Sequence, residues 1–237
     1  MTLYVLFFAC VSAGWLLFFG RQSDHLRPAT LWLVFGAGLL SGPVAGATSA
    51  LVESLTIAPN AYSGARAAGN YAAPAIFDLQ AFLLYFLIVG PVEEIAKFLA
   101  VFFAGLRRSD FRTSNDGIVL GIAAALGFAC GENILYLLAF GPGQTLPRLI
   151  LGNLGHAAFA VFWGYALGAV LHENANAALI VAGLLIASLF HGAYNYLLGY
   201  SMPGALLAFA LSGALYSFMF RFLRGERNRN RGRPRGL

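Results

Sequence analysis

An all-α, polytopic membrane bundle of about seven helices is the fold class this sequence predicts. Three observations predict it: the quantity of apolar residue, the length of the runs that hold it, and the loops that collect the basic residues. Of 237 residues, 59% are hydrophobic and 11% charged, whereas soluble domains carry about 25% charge. A core of this size in water could not hide that much apolar surface; lipid removes the need to hide it. The two cysteines, Cys10 and Cys130, each sit inside an apolar run, which argues against a disulfide framework or a thiolate metal site.

The first run, 3–20, is followed rather than preceded by basic residues, Arg21 and Arg27. A cleaved secretory signal would carry them first, so the run is read as a retained helix. A polar stretch at 21–28 leads to a second run at 29–58, and the Gly, Ala, Asn and Pro content of 59–74 marks the longest loop. A third run covers 76–106. After the charged loop at 107–115, Asp116 is expected to cap a fourth helix over 117–140. A turn at 141–147, a fifth helix at 148–171, a loop at 172–176 and a sixth helix at 177–198 follow. A turn at 201–204 precedes a seventh helix ending near 223. Each run reaches the roughly 20 residues needed to cross about 30 Å of hydrocarbon.

Residues 1–223 therefore read as a single transmembrane helical domain, and 224–237 as a basic tail with nothing to bury and no expected structure. Seven of the fifteen basic residues lie between Arg221 and Arg235, directly after an apolar helix. That position suits anionic headgroups rather than nucleic acid, which is excluded as a partner. Cytoplasmic loops collect Arg and Lys. With the tail inside, the loops at 172–176, 107–115 and 21–28 also fall inside, and the outer segments hold only Arg66 and Arg148. The N-terminus is then outside and the C-terminus cytoplasmic. Small residues four apart, at Gly117 and Gly121, Gly127 and Gly131, and Gly164 and Gly168, predict close helix packing.

Against this background several ionisable residues stand out. A carboxylate near the bilayer centre costs at least about 2.5 kcal/mol on insertion scales. Glu93 and Glu94 on helix three, Glu132 on helix four, His156 on helix five and His191 on helix six nevertheless fall in one middle band, counting about 1.5 Å per residue from the helix ends. Asn133 and Asn195 add amides. Lys97, four residues from Glu93 and three from Glu94, can offset one charge, and Pro91 predicts a kink beside the pair. His191 and Asn195, one turn apart, can together donate to an oxyanion, and a facing carboxylate can activate water. His25 and His172 in the loops earn no site role, and neither do Glu53 and Asp78 toward the outer side.

These residues resemble the motifs of the PrsW family of intramembrane proteases, within a wider CAAX-protease-like grouping of membrane proteases that includes the bacteriocin-immunity type. The matching pieces are P-V-E-E-I-A-K at 91–97, D-G-I-V-L-G-I-A-A-A-L-G-F-A-C-G-E-N-I-L-Y at 116–136, His156 with Phe159, and H-G-A-Y-N at 191–195. They span a protease-like core at 85–200, with Leu120 standing where many members carry an aromatic residue. The resemblance implies that Glu93, Glu94, Glu132, His156, His191 and Asn195 are catalytic, with Asn195 beside the oxyanion. It also implies a multi-pass protein of the bacterial cytoplasmic membrane, acting in a stress response on a membrane-anchored substrate such as an anti-sigma factor. A further protease would act after the first cut.

Two chemistries stay open. In one, Glu94 activates water without a cofactor, the reading preferred from sequence. In the other, Glu94, Glu132, His156 and His191 are candidate ligands for zinc, although the chain lacks the H-E-x-x-H signature. A proton-coupled transporter, or a scaffold whose Glu and His residues pair structurally, would use the same residue types.

Overall fold

The computed structural model describes residues 2–56, 79–200 and 202–232. The expected outer loop at 59–74 with Arg66, and Asp78 beyond it, lie outside the described residues. Seven helices make up the described chain: α1 (Thr2–Gly20), α2 (Pro28–Thr56), α3, α4 (Ser114–Phe140), α5 (Pro142–His172), α6 (Ala178–Tyr200) and α7 (Met202–Gly232). The third is built from three consecutive pieces, Leu79–Leu84, a π-helical turn Tyr85–Val89, and Gly90–Ala104. All except α3 contain an apolar stretch long enough to cross a membrane by itself; α3 reaches that length only across its π turn. The chain is a multi-pass membrane protein.

Helix α4 is the axis of the bundle. Apart from polar residues at 114–116 and 132–133 its faces are apolar or small, and residues 114–133 are buried without interruption, as expected of a helix with little polar face to show. Helices α5 and α2 make the most extensive contacts with it; α1 also leans on α4, and α3, α6 and α7 complete the wall against α2 and α5. The small-residue pairs expected to pack closely do so. A Cβ at Gly121 would lie 3.0 Å from the Ala160 carbonyl of α5, and one at Gly131 would lie 2.6 Å from the Leu39 carbonyl of α2. Outward, Leu3, Leu40, Phe103, Leu138, Val181 and Leu206 are exposed, which suits lipid rather than water.

Helix α7 starts at Met202, inside the turn expected at 201–204, and three further boundaries differ from expectation for physical reasons. Only Gly141 separates α4 from α5, where a turn at 141–147 was expected. Its φ of 76° reverses the chain, and Pro142, lacking an N–H that the first helical position does not need, starts α5 at once. Helix α4 begins at Ser114 with Thr113 as its N-cap, so Asp116 lies within the first turn instead of capping it. Thr113 Oγ1 accepts from the Asp116 N–H (3.2 Å), and Asp116 Oδ2 accepts from the Arg112 N–H (3.1 Å). Finally, α7 runs on as helix to Gly232, through the first part of the stretch expected to lack structure. Buried Glu226 accepts from Ser114 Oγ (3.0 Å) and from Arg229 (2.6 Å), and Arg229 reaches Glu173 (3.1 Å). Placed against the start of α4 and the end of α5, these charges find partners that a solvated tail would not offer.

The same end of the bundle gathers the basic loops. Arg227 pairs with Asp24 at 3.5 Å, and Asp110 accepts from the Arg27 N–H (2.8 Å) and the Thr30 hydroxyl (3.2 Å). Asp116, fully buried, also binds Ser23 Oγ (2.5 Å) and His25 Nδ1 (3.0 Å), giving His25 a structural role that its loop position did not suggest.

Candidate active site

Pro91 cannot donate to the carbonyl of Leu87, and its ring crowds that carbonyl. The chain answers with the π turn, in which the Gly90 N–H bonds to Tyr85 O, and the extra residue re-aims the helix directly before Glu93 and Glu94. Close approach to α6 depends on two residues without side chains. A Cβ on Gly90 would lie 2.6 Å from the Ser188 carbonyl, and one on Gly192 would lie 2.7 Å from the Tyr85 carbonyl. This contact brings His191 against the paired glutamates.

All five expected ionisable residues, with Lys97, meet in one buried cluster drawn from α3, α4, α5 and α6. Glu94 is fully buried; its Oε1 accepts from Lys97 Nζ (2.7 Å) and His191 Nδ1 (2.9 Å), and its Oε2 accepts from the indole N–H of Trp163 (2.9 Å). The other ring nitrogen of His191, Nε2, lies 3.4 Å from Glu93 Oε2. Lys97 Nζ also reaches His156 Nδ1 (2.8 Å), stands 3.9 Å from Glu93 Oε2, and lies 4.4 Å from the centroid of the Phe128 ring. His156 Nε2 is 3.0 Å from Glu132 Oε2. The partners assign the tautomers: His191 gives its Nδ1 proton to Glu94, and His156, accepting from Lys97 at Nδ1, gives its Nε2 proton to Glu132.

Aromatic rings hold the imidazoles. Phe159 stacks on His191 with centroids 5.0 Å apart and planes 21° apart, and the two imidazoles meet edge to face at 5.0 Å. Asn195, one turn beyond His191, is half-buried and makes no hydrogen bond to the cluster among the described residues. Asn133 is buried beside Glu132, and its Nδ2 finds no acceptor among the described residues.

Glu93, His156 and His191 each offer a donor atom, all within 4.8 Å of one another. Tetrahedral zinc with bonds of about 2.0–2.2 Å sets its ligand atoms about 3.3–3.6 Å apart. Glu93 Oε2 and His191 Nε2, 3.4 Å apart, already satisfy that, and the full set would have to close by up to about 1.3 Å. Each histidine is oriented through its other nitrogen by a carboxylate, Glu94 behind His191 and Glu132 behind His156, the outer arrangement usual for metal-ligating histidines. Glu93, His156 and His191 could therefore hold a divalent metal; of the other expected candidates, Glu94 hydrogen-bonds His191 and Glu132 hydrogen-bonds His156.

Trp163 and Lys97 carry more of the site than the sequence reading gave them. Trp163 lies seven residues, two turns, after His156, on the same face of α5. A buried indole N–H needs an acceptor, a signal that could have pointed to Glu94.

The family model described as PrsW family intramembrane metalloprotease matches residues 27–223. Curated relatives carry the name Protease PrsW. The one from Shouchella clausii (strain KSM-K16) is 34% identical over 120 residues, covering 50% of this chain and 54% of the relative. That from Geobacillus kaustophilus (strain HTA426) is 36% identical over 130 residues, covering 52% and 58%. That from Bacillus subtilis (strain 168) is 34% identical over 119 residues, covering 49% and 55%. The match thus spans little more than half the length of these relatives. No solved structure matches the chain.

Proposed function

The chain belongs to the PrsW family, and from that premise we propose that it is an intramembrane endopeptidase, hydrolysing a peptide bond in or near the membrane segment of an anchored protein. One observation carries the reading: two carboxylates, two imidazoles and an ammonium from four helices join in one continuous hydrogen-bonded cluster inside a membrane bundle, with the Glu93 carboxylate 3.4 Å from His191 beside it. A scaffold needs only local pairs, and so costly a concentration of charge in lipid marks a functional site.

The roles follow from the contacts. Glu94, with both oxygens engaged and no exposure, is an anchor that orients His191 and balances Lys97. Glu132 is the least enclosed of the three carboxylates, at 8% exposure against 4% for Glu93 and none for Glu94. We assign it the proton from attacking water, a role given to Glu94 on sequence grounds alone. His156, hydrogen-bonded to Glu132, holds that carboxylate in position. Glu93, His156 and His191 are the residues that would hold a divalent metal, which when bound polarises a carbonyl and acidifies water. Asn195 stands one turn from His191, within reach of an oxyanion if α6 adjusts around substrate.

The basic end of the bundle, carrying Arg27, Arg107, Arg108 and Arg227, supports an orientation with the C-terminus in the cytoplasm of a bacterium. Anti-sigma factors tethered in that membrane are the substrates this reading favours, with a second protease completing their removal. The test is cleavage of a panel of membrane-tethered anti-sigma factors by protein reconstituted in liposomes. Parent protein cuts one of them, while Glu132→Gln and His191→Ala do not. Cleavage that survives both substitutions would refute the proposal.

A further inference from the structure

Lys97 is fully buried in the middle of the bundle, where an ammonium is tolerated only with close partners. It has them: Glu94 Oε1 at 2.7 Å, His156 Nδ1 at 2.8 Å, Glu93 Oε2 at 3.9 Å and the face of Phe128 at 4.4 Å. Two of these partners, Glu93 and His156, belong to the three-donor set. The Nδ1 atom of His156 has one lone pair. It can accept a hydrogen from Lys97 or bind an ion, but not both. Its other nitrogen is committed to Glu132, so the ring has no second site to offer.

We propose that Lys97 is the resident cation of this cluster, competing with a divalent metal for the same donors, so that metal enters only as Lys97 withdraws from His156. The proposal rests on the cluster being a metal site, as read above. In the metal-free protein the ammonium keeps its two neighbouring carboxylates, Glu93 and Glu94, from facing one another uncompensated. On metal entry the ion takes over that task, and the flexible four-carbon stem lets the ammonium move off while its neighbour Glu94 still orients His191. Lys97 is thus a positioning residue that sets how tightly the site holds its metal. Its presence weakens metal binding, because the ion must displace one hydrogen bond and approach a like charge.

The experiment is a titration of the purified full chain in detergent with zinc ion, read against a chromophoric competing chelator. The parent, Lys97→Met, Lys97→Arg and His191→Ala proteins are compared. Lys97→Met is expected to bind zinc about tenfold or more tightly than the parent, Lys97→Arg to stay near the parent, and His191→Ala to lose binding. Should Lys97→Met fail to fold, Lys97→Gln replaces it, since its amide keeps a donor for Glu94 without the charge. Equal or weaker zinc binding by the neutral variant, with binding still lost in His191→Ala, overturns the competition while leaving the donor set intact. Absence of zinc binding in the parent and in every Lys97 variant overturns both the competition and the metal reading beneath it.

Discussion

Replacing Glu94 by Gln keeps the shape of the side chain and removes its charge, and the structure indicates what that does. The carboxylate accepts three hydrogen bonds, from Lys97, His191 and Trp163. An amide has one accepting oxygen and one donating nitrogen. If its oxygen serves Lys97 and His191, its NH2 faces the Trp163 N–H; if it serves Trp163, the NH2 faces two donors. Either way a buried donor is left unsatisfied, and Lys97 keeps only Glu93, at 3.9 Å, as a carboxylate partner. Breaking a buried ion pair from one side costs about 3–5 kcal/mol. For a chain of this size that lowers the melting temperature by roughly 6–20 °C. The assay is thermal unfolding in detergent followed by tryptophan fluorescence. Removing the stranded ammonium as well, in Glu94→Gln with Lys97→Met, should recover at least half of the loss, the non-additivity expected of coupled neighbours. A single variant melting within about 2 °C of the parent, or a double variant no better than the single, would refute the description of Glu94 as anchor of this cluster.

Trp163→Phe keeps an aromatic side chain but removes the pyrrole part of the indole and its donor to Glu94 Oε2; it should cost about 1–3 kcal/mol for the hydrogen bond plus a term for the space left, and lower kcat more than KM in the cleavage assay. Gly192→Ala forces a Cβ to within 2.7 Å of the Tyr85 carbonyl, parting α3 from α6 and with them Glu94 from His191. Loss of cleavage is expected there, whereas Gly14→Ala, with open space around its Cβ, should match the parent in the same assay. Burial alone would raise the Asp110 carboxyl, yet the Arg27 N–H and the Thr30 hydroxyl hold it below the ordinary carboxylate value. Its stabilisation is therefore present above about pH 4 and lost as the pH falls through the folded-state value. Asp110→Asn should lower the melting temperature at neutral pH and flatten the acid side of the profile, where parent and variant converge.

Much of the fold was legible because lipid makes hydropathy and length nearly sufficient to find a helix. What misled were places where a local signal met a tertiary partner. Pro147 and the glycines around it read as a turn, but a single glycine with positive φ was enough to reverse the chain, and α5 took the rest. The Arg-rich stretch after 223 read as unstructured because its own composition buries nothing, yet Ser114 at the start of α4 and Glu173 capping α5 receive Glu226 and Arg229. Lys97 read as a counter-charge within its helix; its bond to His156, 59 residues away, has no trace in local spacing.

By itself the amino-acid sequence determined that this protein lives in a membrane, roughly where it crosses, and which costly residues lie at mid-depth. Those follow from the transfer of side chains into hydrocarbon, a property each residue carries alone. Only the tertiary structure decided which oxygen meets which nitrogen: that Glu93 joins the two histidines, that Glu94 and Glu132 stand behind them, and that Lys97 occupies His156. Such pairings depend on the relative rotation of four helices, set by backbone contacts at Gly90 and Gly192 and by the π turn before Pro91, and rotation about a helix axis leaves composition and depth unchanged.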